Sequence, residues 1–299
     1  METRLVTAFY FDNYGGDQRP PYHMHSAVAR YHRYLYSIVQ LSRMNLPIKL
    51  VCGENVYDAL TIELQHNNVK NIEVEVRDLS SFKYSKKIGE LKNKYPEKFN
   101  FYHEIDWAKL DLLKEEAEKG ADYTYWIDCG LAHRGLWPDR YSKSPDTLTG
   151  FSHDRQNYEF DKVFNPHFFT KINEWLGDKL IDIRSIMQYH PFDEINKLAG
   201  EDICCDGQTI GGILGGNKNQ LDFFINNFYH YADLCLSDDK VLNHEAIITT
   251  IAHKNSEKFK TFKFDTWYHE NTGGMDWITP EWLDTQVSFY EFIKEIDHE

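Results

Sequence analysis

One stretch of this 299-residue chain is set up for chemistry more plainly than the rest: Trp126-Ile127-Asp128-Cys129-Gly130-Leu131. An apolar run that delivers an acid to its end, followed by glycine, puts a carboxylate in the crevice where open α/β sheets bind ligands. Burying that acid unpaired is costly. A ribose hydroxyl or a divalent cation would satisfy it, and so would capping the next turn. Three further segments carry similar choices. Gly211-Gly212-Ile213-Leu214-Gly215-Gly216 reads as a bulge or close backbone approach to a ligand, or as a simple hairpin turn. Asn243-His244-Glu245 opens an apolar helix. Glu245 falls in the first turn, where the helix dipole favours a carboxylate, and the same place lets it act in a cleft as base or substrate anchor. His269, in Phe264-Asp265-Thr266-Trp267-Tyr268-His269, is a candidate metal or phosphate ligand or a structural histidine.

Three other motifs fail. Gly211 to Lys218 approaches a phosphate-binding P-loop, but Asn217 separates Gly216 from Lys218, and no Ser or Thr follows the lysine to bind Mg²⁺. No Gly-x-Gly-x-x-Gly follows the first strand, which argues against a dinucleotide fold. His244-Glu245-Ala246-Ile247-Ile248 begins like a zinc-protease helix, but Ile248 stands where the second histidine belongs.

The elements that must position these residues read as alternating strands and helices. Leu5–Phe11 is the first strand, ending in the turn-forming Asp12-Asn13-Tyr14-Gly15-Gly16-Asp17. A helix over about His23–Asn45 follows from Ala27, Tyr31, Tyr34, Leu35, Ile38 and Leu41 at spacings of three and four. Ile48–Gly53 and Ile72–Val76 are strands. A further helix is expected after Asp106 as N-cap, stopped by Gly120. Tyr123–Ile127 is the strand that carries Asp128. Helices are also expected near Phe169–Ile183, over Gln220–Cys235 and over His244–His253. This order predicts a mainly parallel sheet wrapped by helices. No linker divides it, so the chain reads as one domain over 1–299, regular to about residue 135 and elaborated from about 136.

Composition limits the function. Thirty-three Lys and Arg against 47 Asp and Glu give a net charge of −14. That charge excludes non-specific nucleic-acid binding and requires any phosphate-bearing ligand to be met by a local positive device. The lysines at 83, 86, 87, 92, 94 and 98, interleaved with aromatics, are either such a lid or a solvated helix. The five cysteines, Cys52, Cys129, Cys204, Cys205 and Cys235, have no disulfide or zinc spacing and point to a reducing cytoplasm, with Cys52 and Cys129 as buried thiols. No signal peptide is visible, and no stretch approaches the ~18 apolar residues of a membrane span. Peripheral membrane association stays open.

Taken in chain order, Val6-Thr7-Ala8-Phe9-Tyr10-Phe11-Asp12, Trp126-Ile127-Asp128-Cys129-Gly130, Gly211-Gly212-Ile213, Asp238-Asp239 and Trp267-Tyr268 resemble the HtrL/YibB-like family of bacterial glycosyltransferases of GT-A-like fold. The resemblance implies an α/β GT-A-like domain with a mixed, mostly parallel sheet. It implies transfer of a sugar from a nucleotide-diphosphate sugar to a cell-surface polysaccharide or lipid-linked glycan. Thr7, Ala8, Phe9 and Asp12 would line the nucleotide site with Gly130, Gly211 and Gly212. Asp128 would be the first acid of a reduced Asp-x-Asp, holding ribose and a Mn²⁺ or Mg²⁺ ion, with His269 as a second metal ligand and Glu245 as base or sugar anchor. Gly130 stands where the second acid is expected, and no arginine directly follows Phe11-Asp12-Asn13-Tyr14-Gly15. Two other readings remain: a non-catalytic carbohydrate-binding or regulatory protein, and a sugar nucleotidyltransferase. The acidic loop 12–17 weighs against the second.

Overall fold

The computed structural model describes residues 1–11, 27–95, 102–130, 166–185, 192–201, 203 and 207–264. In chain order these form β1 (Thr3–Phe9), α1 (Ala27–Leu41), β2 (Ile48–Cys52), α2 (Glu54–His66), β3 (Ile72–Val76), α3 (Ser85–Lys94), α4 (Tyr102–Ala117) and β4 (Tyr123–Ile127). Then come α5 (Phe168–Leu176), β5 (Leu180–Ser185), α6 (Phe192–Ala199), β6 (Gln208–Thr209), β7 (Ile213–Asn217), α7 (Lys218–Ser237), α8 (His244–Lys254) and β8 (Phe259–Phe264). The strands form one mixed sheet in the order β3-β2-β1-β4-β7-β5-β6, with β8 on the other side of β5. β1 pairs in parallel with β2 and β4, β2 with β3, and β5 with β8. The pairings of β7 with β4 and β5, and of β6 with β5, are antiparallel. β5 therefore runs in the direction of β1 and β4. The expected α/β fold, a mostly parallel sheet flanked by helices, is what the chain adopts.

Strand periodicity divides the core. Successive side chains point to opposite faces. Val6, Ala8, Val51 and Trp126 meet Trp107, Leu110 and Leu113 of α4, Phe224 and Phe228 of α7, and Ile247 and Ile251 of α8. On the opposite face Tyr123, Tyr125 and Ile127 meet Phe168, Phe169 and Ile172 of α5. Phe9, Leu50 and Cys52 meet Leu35 and Ile38 of α1 and Val56 and Leu60 of α2. Asp128, two residues beyond Trp126, belongs to the face covered by α4.

β7 is wedged between β4 and β5, and its glycines are what allow it. Gly215 has φ +123°, and a Cβ there would lie 2.2 Å from the Thr124 carbonyl oxygen. Gly216 has φ +138°, with the Lys179 carbonyl oxygen 2.6 Å from its would-be Cβ. The Gly-Gly step is thus a strand device as well as a ligand candidate.

Three expectations need correction. Asp106 does not cap a helix: α4 begins at Tyr102, a full turn earlier, and Asp106 lies inside it. The helix expected over Phe169–Ile183 ends at Leu176, because Gly177 turns the chain at φ 62° and the Leu180-Ile181-Asp182-Ile183 run is a strand. Cys52 is buried, but Cys129 is only partly so.

The lysine segment also takes a definite place. The Lys83 ammonium sits 3.5 Å from the ring centre of Tyr229 and 4.8 Å from that of Tyr84. The Lys83 backbone N–H donates to Asp111, and Lys94 pairs with Asp239 at 2.6 Å. These contacts fasten α3 to the flanks of α4 and α7, which accounts for Lys83 and Lys94 structurally. Lys98 lies outside the described residues.

Gly215→Ala is expected to lower stability by about 3 kcal/mol, through steric overpacking and a left-handed strain that alanine tolerates poorly. Denaturant unfolding compared with the wild type measures it. A loss below ~1 kcal/mol would mean the β4–β7–β5 wedge does not depend on glycine.

Candidate functional site

The chain builds β1, β2 and β3 to one side of β1 and then places β4 on its other side. The strand order reverses between β1 and β4, and the crevice at the carboxyl ends of such strands is where open sheets bind ligands. Asp128 stands there. Its backbone N–H donates to the Gly212 carbonyl at 2.9 Å, joining the end of β4 to the bulge that precedes β7. Its side chain is 40% exposed.

Below Asp128 lies a buried polar chain. Trp126 and Asp128 share a face of β4, and the indole N–H of Trp126 donates to Asp128 Oδ1 at 2.8 Å. The Lys109 ammonium reaches the same oxygen from α4 at 3.1 Å, although Lys109 is only 5% exposed. Lys109 also lies 3.5 Å from Asp106 Oδ1, one turn away on α4. Its third contact is His244 Nε2 at the start of α8, at 3.2 Å. Nδ1 faces Asp106 Oδ1 at 3.4 Å without hydrogen-bond geometry.

The charges reinforce one another. Burial works to lower the Lys109 pKa, but Asp128 and Asp106 beside it prevail and raise it. Burial likewise works to raise the Asp106 carboxyl, and the adjacent His244 and Lys109 hold it well below the usual carboxylate range. Glu245 is the third carboxylate acting on Lys109.

α8 enters by a side-chain cap. Asn243 accepts the Glu245 backbone N–H at 2.9 Å, and the Leu242 carbonyl accepts the Trp107 indole N–H at 2.8 Å. Glu245 Oε1 accepts the Gly211 N–H at 2.7 Å, while Thr249, one turn on, accepts the Thr209 N–H at 2.9 Å. The 210–212 bulge is therefore held by α8. A Cβ on Gly211 would meet His244 Nε2 at 1.9 Å, so the glycine makes room for the buried imidazole.

Of the residues expected from sequence, Asp128, Gly130, Gly211, Gly212 and Glu245 gather at this edge. The register sets Val6 opposite Trp126, so Thr7, Ala8 and Phe9 run on beside the end of β4. All three are buried. Phe9 packs against Phe11, Tyr31 and Tyr34, and the Thr7 hydroxyl has no hydrogen-bond partner among the described residues. Asp12 and His269 lie outside the described residues. Lys109, Asp106 and His244 were not singled out as site residues. A lysine inside Trp107-Ala108-Lys109-Leu110, three residues after an acid, was the available signal.

The described residues do not fit a divalent cation. Asp128 Oδ1 is already held by Lys109 and Trp126. Gly130 supplies no ligand, and the space its side chain would need is filled: a Cβ there would lie 2.4 Å from the Tyr34 ring. Among the described residues, no three His, Cys, Asp or Glu side chains converge as a metal site.

No protein family matches the chain, and no curated protein does. Distant likenesses to solved structures exist. Mouse xyloside xylosyltransferase 1, in its apo form, is similar over 97% of this chain and 94% of that one, with 10% identity and a TM-score of 0.45. A Desulfovibrio desulfuricans G20 protein assigned as a nucleotide-diphospho-sugar transferase is similar over 100% and 98%, with 7% identity and a TM-score of 0.38. The 4-diphosphocytidyl-2C-methyl-D-erythritol synthase of Anaerococcus prevotii DSM 20548 is similar over 88% and 86%, with 12% identity and a TM-score of 0.36. No helix among the described residues is long and apolar enough to cross a membrane.

Two outcomes are expected from this geometry. Gly130→Ala should cost about 1–3 kcal/mol by pressing on Tyr34, and Tyr34→Ala in the same chain should recover part of that loss. Additive losses in the double-mutant cycle would refute the close approach. The depressed Asp106 carboxyl stabilises the fold fully above its unfolded value near ~4 and loses that contribution as pH falls through lower values. Asp106→Asn should therefore flatten the stability profile between about pH 4 and pH 2, read by urea unfolding at stepped pH.

Proposed function

We propose that this chain is a GT-A-like glycosyltransferase that moves a sugar from a nucleotide-diphosphate sugar to a glycan acceptor, either a cell-surface polysaccharide or a lipid-linked glycan. The observation that carries the reading is the place of Asp128: a partly exposed carboxylate at the carboxyl end of β4, beside the point where the strand order reverses.

In this reading Asp128 accepts hydrogen bonds from ribose hydroxyls of the donor. Gly211 and Gly212 let the backbone approach the nucleotide-sugar closely. Thr7, Ala8, Phe9, Asp12 and Gly130 complete the donor side. Glu245, anchored to Gly211 through one oxygen, lies beside the bulge and serves as general base or as a sugar-hydroxyl anchor. Because Lys109 and Trp126 already hold Asp128 Oδ1, no step of this reading is routed through the divalent cation expected at Asp128 and His269. Localisation in the cytoplasm, with or without peripheral membrane contact, belongs to the same reading. Gly130, in place of a second acid, favours one other reading, a non-catalytic carbohydrate-binding protein on this fold.

Thermal-shift screening against UDP, GDP, CDP and dTDP sugars tests the proposal, followed by calorimetry on whichever nucleotide stabilises the protein. The expected result is saturable binding to the wild type, weakened about tenfold in Asp128→Asn, equal to about 1.4 kcal/mol. Hydrolysis or transfer of the bound sugar separates the enzyme from the binding protein. A wild type that responds to no nucleotide sugar, with or without Mn²⁺, overturns the reading.

A further inference from the structure

The ammonium of Lys109 is a fixed positive charge beside Asp128, the acid at the carboxyl end of β4. It sits 3.1 Å from Asp128 Oδ1, on a side chain 7% exposed, and contacts Asp106 and His244 as well. Three contacts from three elements hold it there. The same Asp128 oxygen takes the Trp126 indole N–H. Beside it, the position of a second acid is closed by the Tyr34 ring. We propose that Lys109 is a positioning residue that stands where a divalent cation would otherwise neutralise Asp128, so that Asp128 receives ligand hydroxyl groups as a hydrogen-bond acceptor and the site binds a nucleotide without a divalent cation.

The ligand side of this inference rests on the nucleotide-sugar reading. The metal side does not, because it concerns only what Asp128 is paired with. With Lys109 present, Asp128 has its counter-ion supplied from inside the protein. Without it, Asp128 and Asp106 are two carboxylates facing the vacated space with no ammonium between them, and a small divalent ion held by these two acids and solvent becomes the natural replacement.

The test titrates Mn²⁺ alone into the full chain, followed by calorimetry and by electron paramagnetic resonance of the bound ion. In the wild type, Asp128→Asn is expected to leave Mn²⁺ binding unchanged. Lys109→Met is expected to gain one site at least tenfold tighter than the background, lost again in Lys109→Met with Asp128→Asn. Lys109→Arg, which keeps the charge, should gain none. If Lys109→Met fails to fold, Lys109→Gln, which removes the charge and leaves both carboxylates, carries the same comparison. Mn²⁺ binding in the wild type that Asp128→Asn abolishes overturns the proposal. So does a folded Lys109 variant with no new site. A second arm measures stabilisation of the wild type by UDP, GDP, CDP and dTDP in EDTA and in Mn²⁺. Equal stabilisation supports the inference, and stabilisation seen only with Mn²⁺ overturns it. No stabilisation in either condition overturns the nucleotide reading instead, while the Mn²⁺ arm still decides the role of Lys109.

Discussion

An ammonium taken out of water needs carboxylates around it, and Lys109 is such a group. Desolvating an ion of this size costs several kcal/mol even after relaxation, and a lysine survives the interior only where negative charge is held against it. Here the charges come from α4 itself, from the end of β4 and from the first turn of α8. Satisfying one cation thus fixes the mutual placement of α4, of β4 that follows it, and of α8, far along the chain. α4 cannot slide along the sheet without leaving Asp128 behind. α8 cannot rotate without withdrawing His244. The indole hydrogen bond of Trp107 to Leu242 secures the junction of α4 with the start of α8, and that of Trp126 fixes the Asp128 carboxylate at the end of β4. Buried ion pairs are often no better for stability than apolar replacements. This one sits at the ligand crevice, where the fixed geometry of a carboxylate matters more than net stability.

The bulge between β6 and β7 answers to the same arrangement. The Ile210 N–H goes to Ile183 on β5, and the Gly212 carbonyl accepts from Asp128 on β4. One short loop therefore spans two strands whose ends have begun to part. The gap between them is covered by the start of α8, with Glu245 and Thr249 taking up backbone N–H groups that no strand pairs. A polar helix entrance, a bulge and a strand end are tied by hydrogen bonds rather than by apolar packing, and that suits a surface meant to accept a polar ligand.

Much of this was legible in the sequence where local rules govern. The strands read at Leu5–Phe11, observed as Thr3–Phe9, and at Ile72–Val76, and the apolar stripe of α7, follow from local residue types and spacings. Asp128 was found because a strand end fixes the direction of its last side chain. The errors fell where distant contacts decide. Asp106 looked like a cap because its value as one is local, whereas its actual partners lie on its own helix and 138 residues away at His244. Leu180–Ile183 looked helical beside Phe168–Leu176 because the break rests on a single glycine, Gly177. Lys109 passed unnoticed because a lysine on an amphipathic helix is ordinarily solvated, and only the neighbouring strand shows otherwise. The glycines at 211, 215 and 216 read as a bulge or a close backbone approach to a ligand, and the close neighbours among the described residues are His244 and the backbones of β4 and β5.

The Tyr34 ring over Gly130 also bears on how such a site can change by descent. A chain of this shape that acquired an aspartate at position 130 in one step would meet the aromatic side chain before it met any ligand. A smaller residue on α1 must come first, and that change alone loosens the aromatic packing around Phe9 without any gain in chemistry. The two substitutions are thus ordered and individually unrewarded. The single-acid form of the strand end is therefore a state that a lineage leaves with difficulty, whichever form came first.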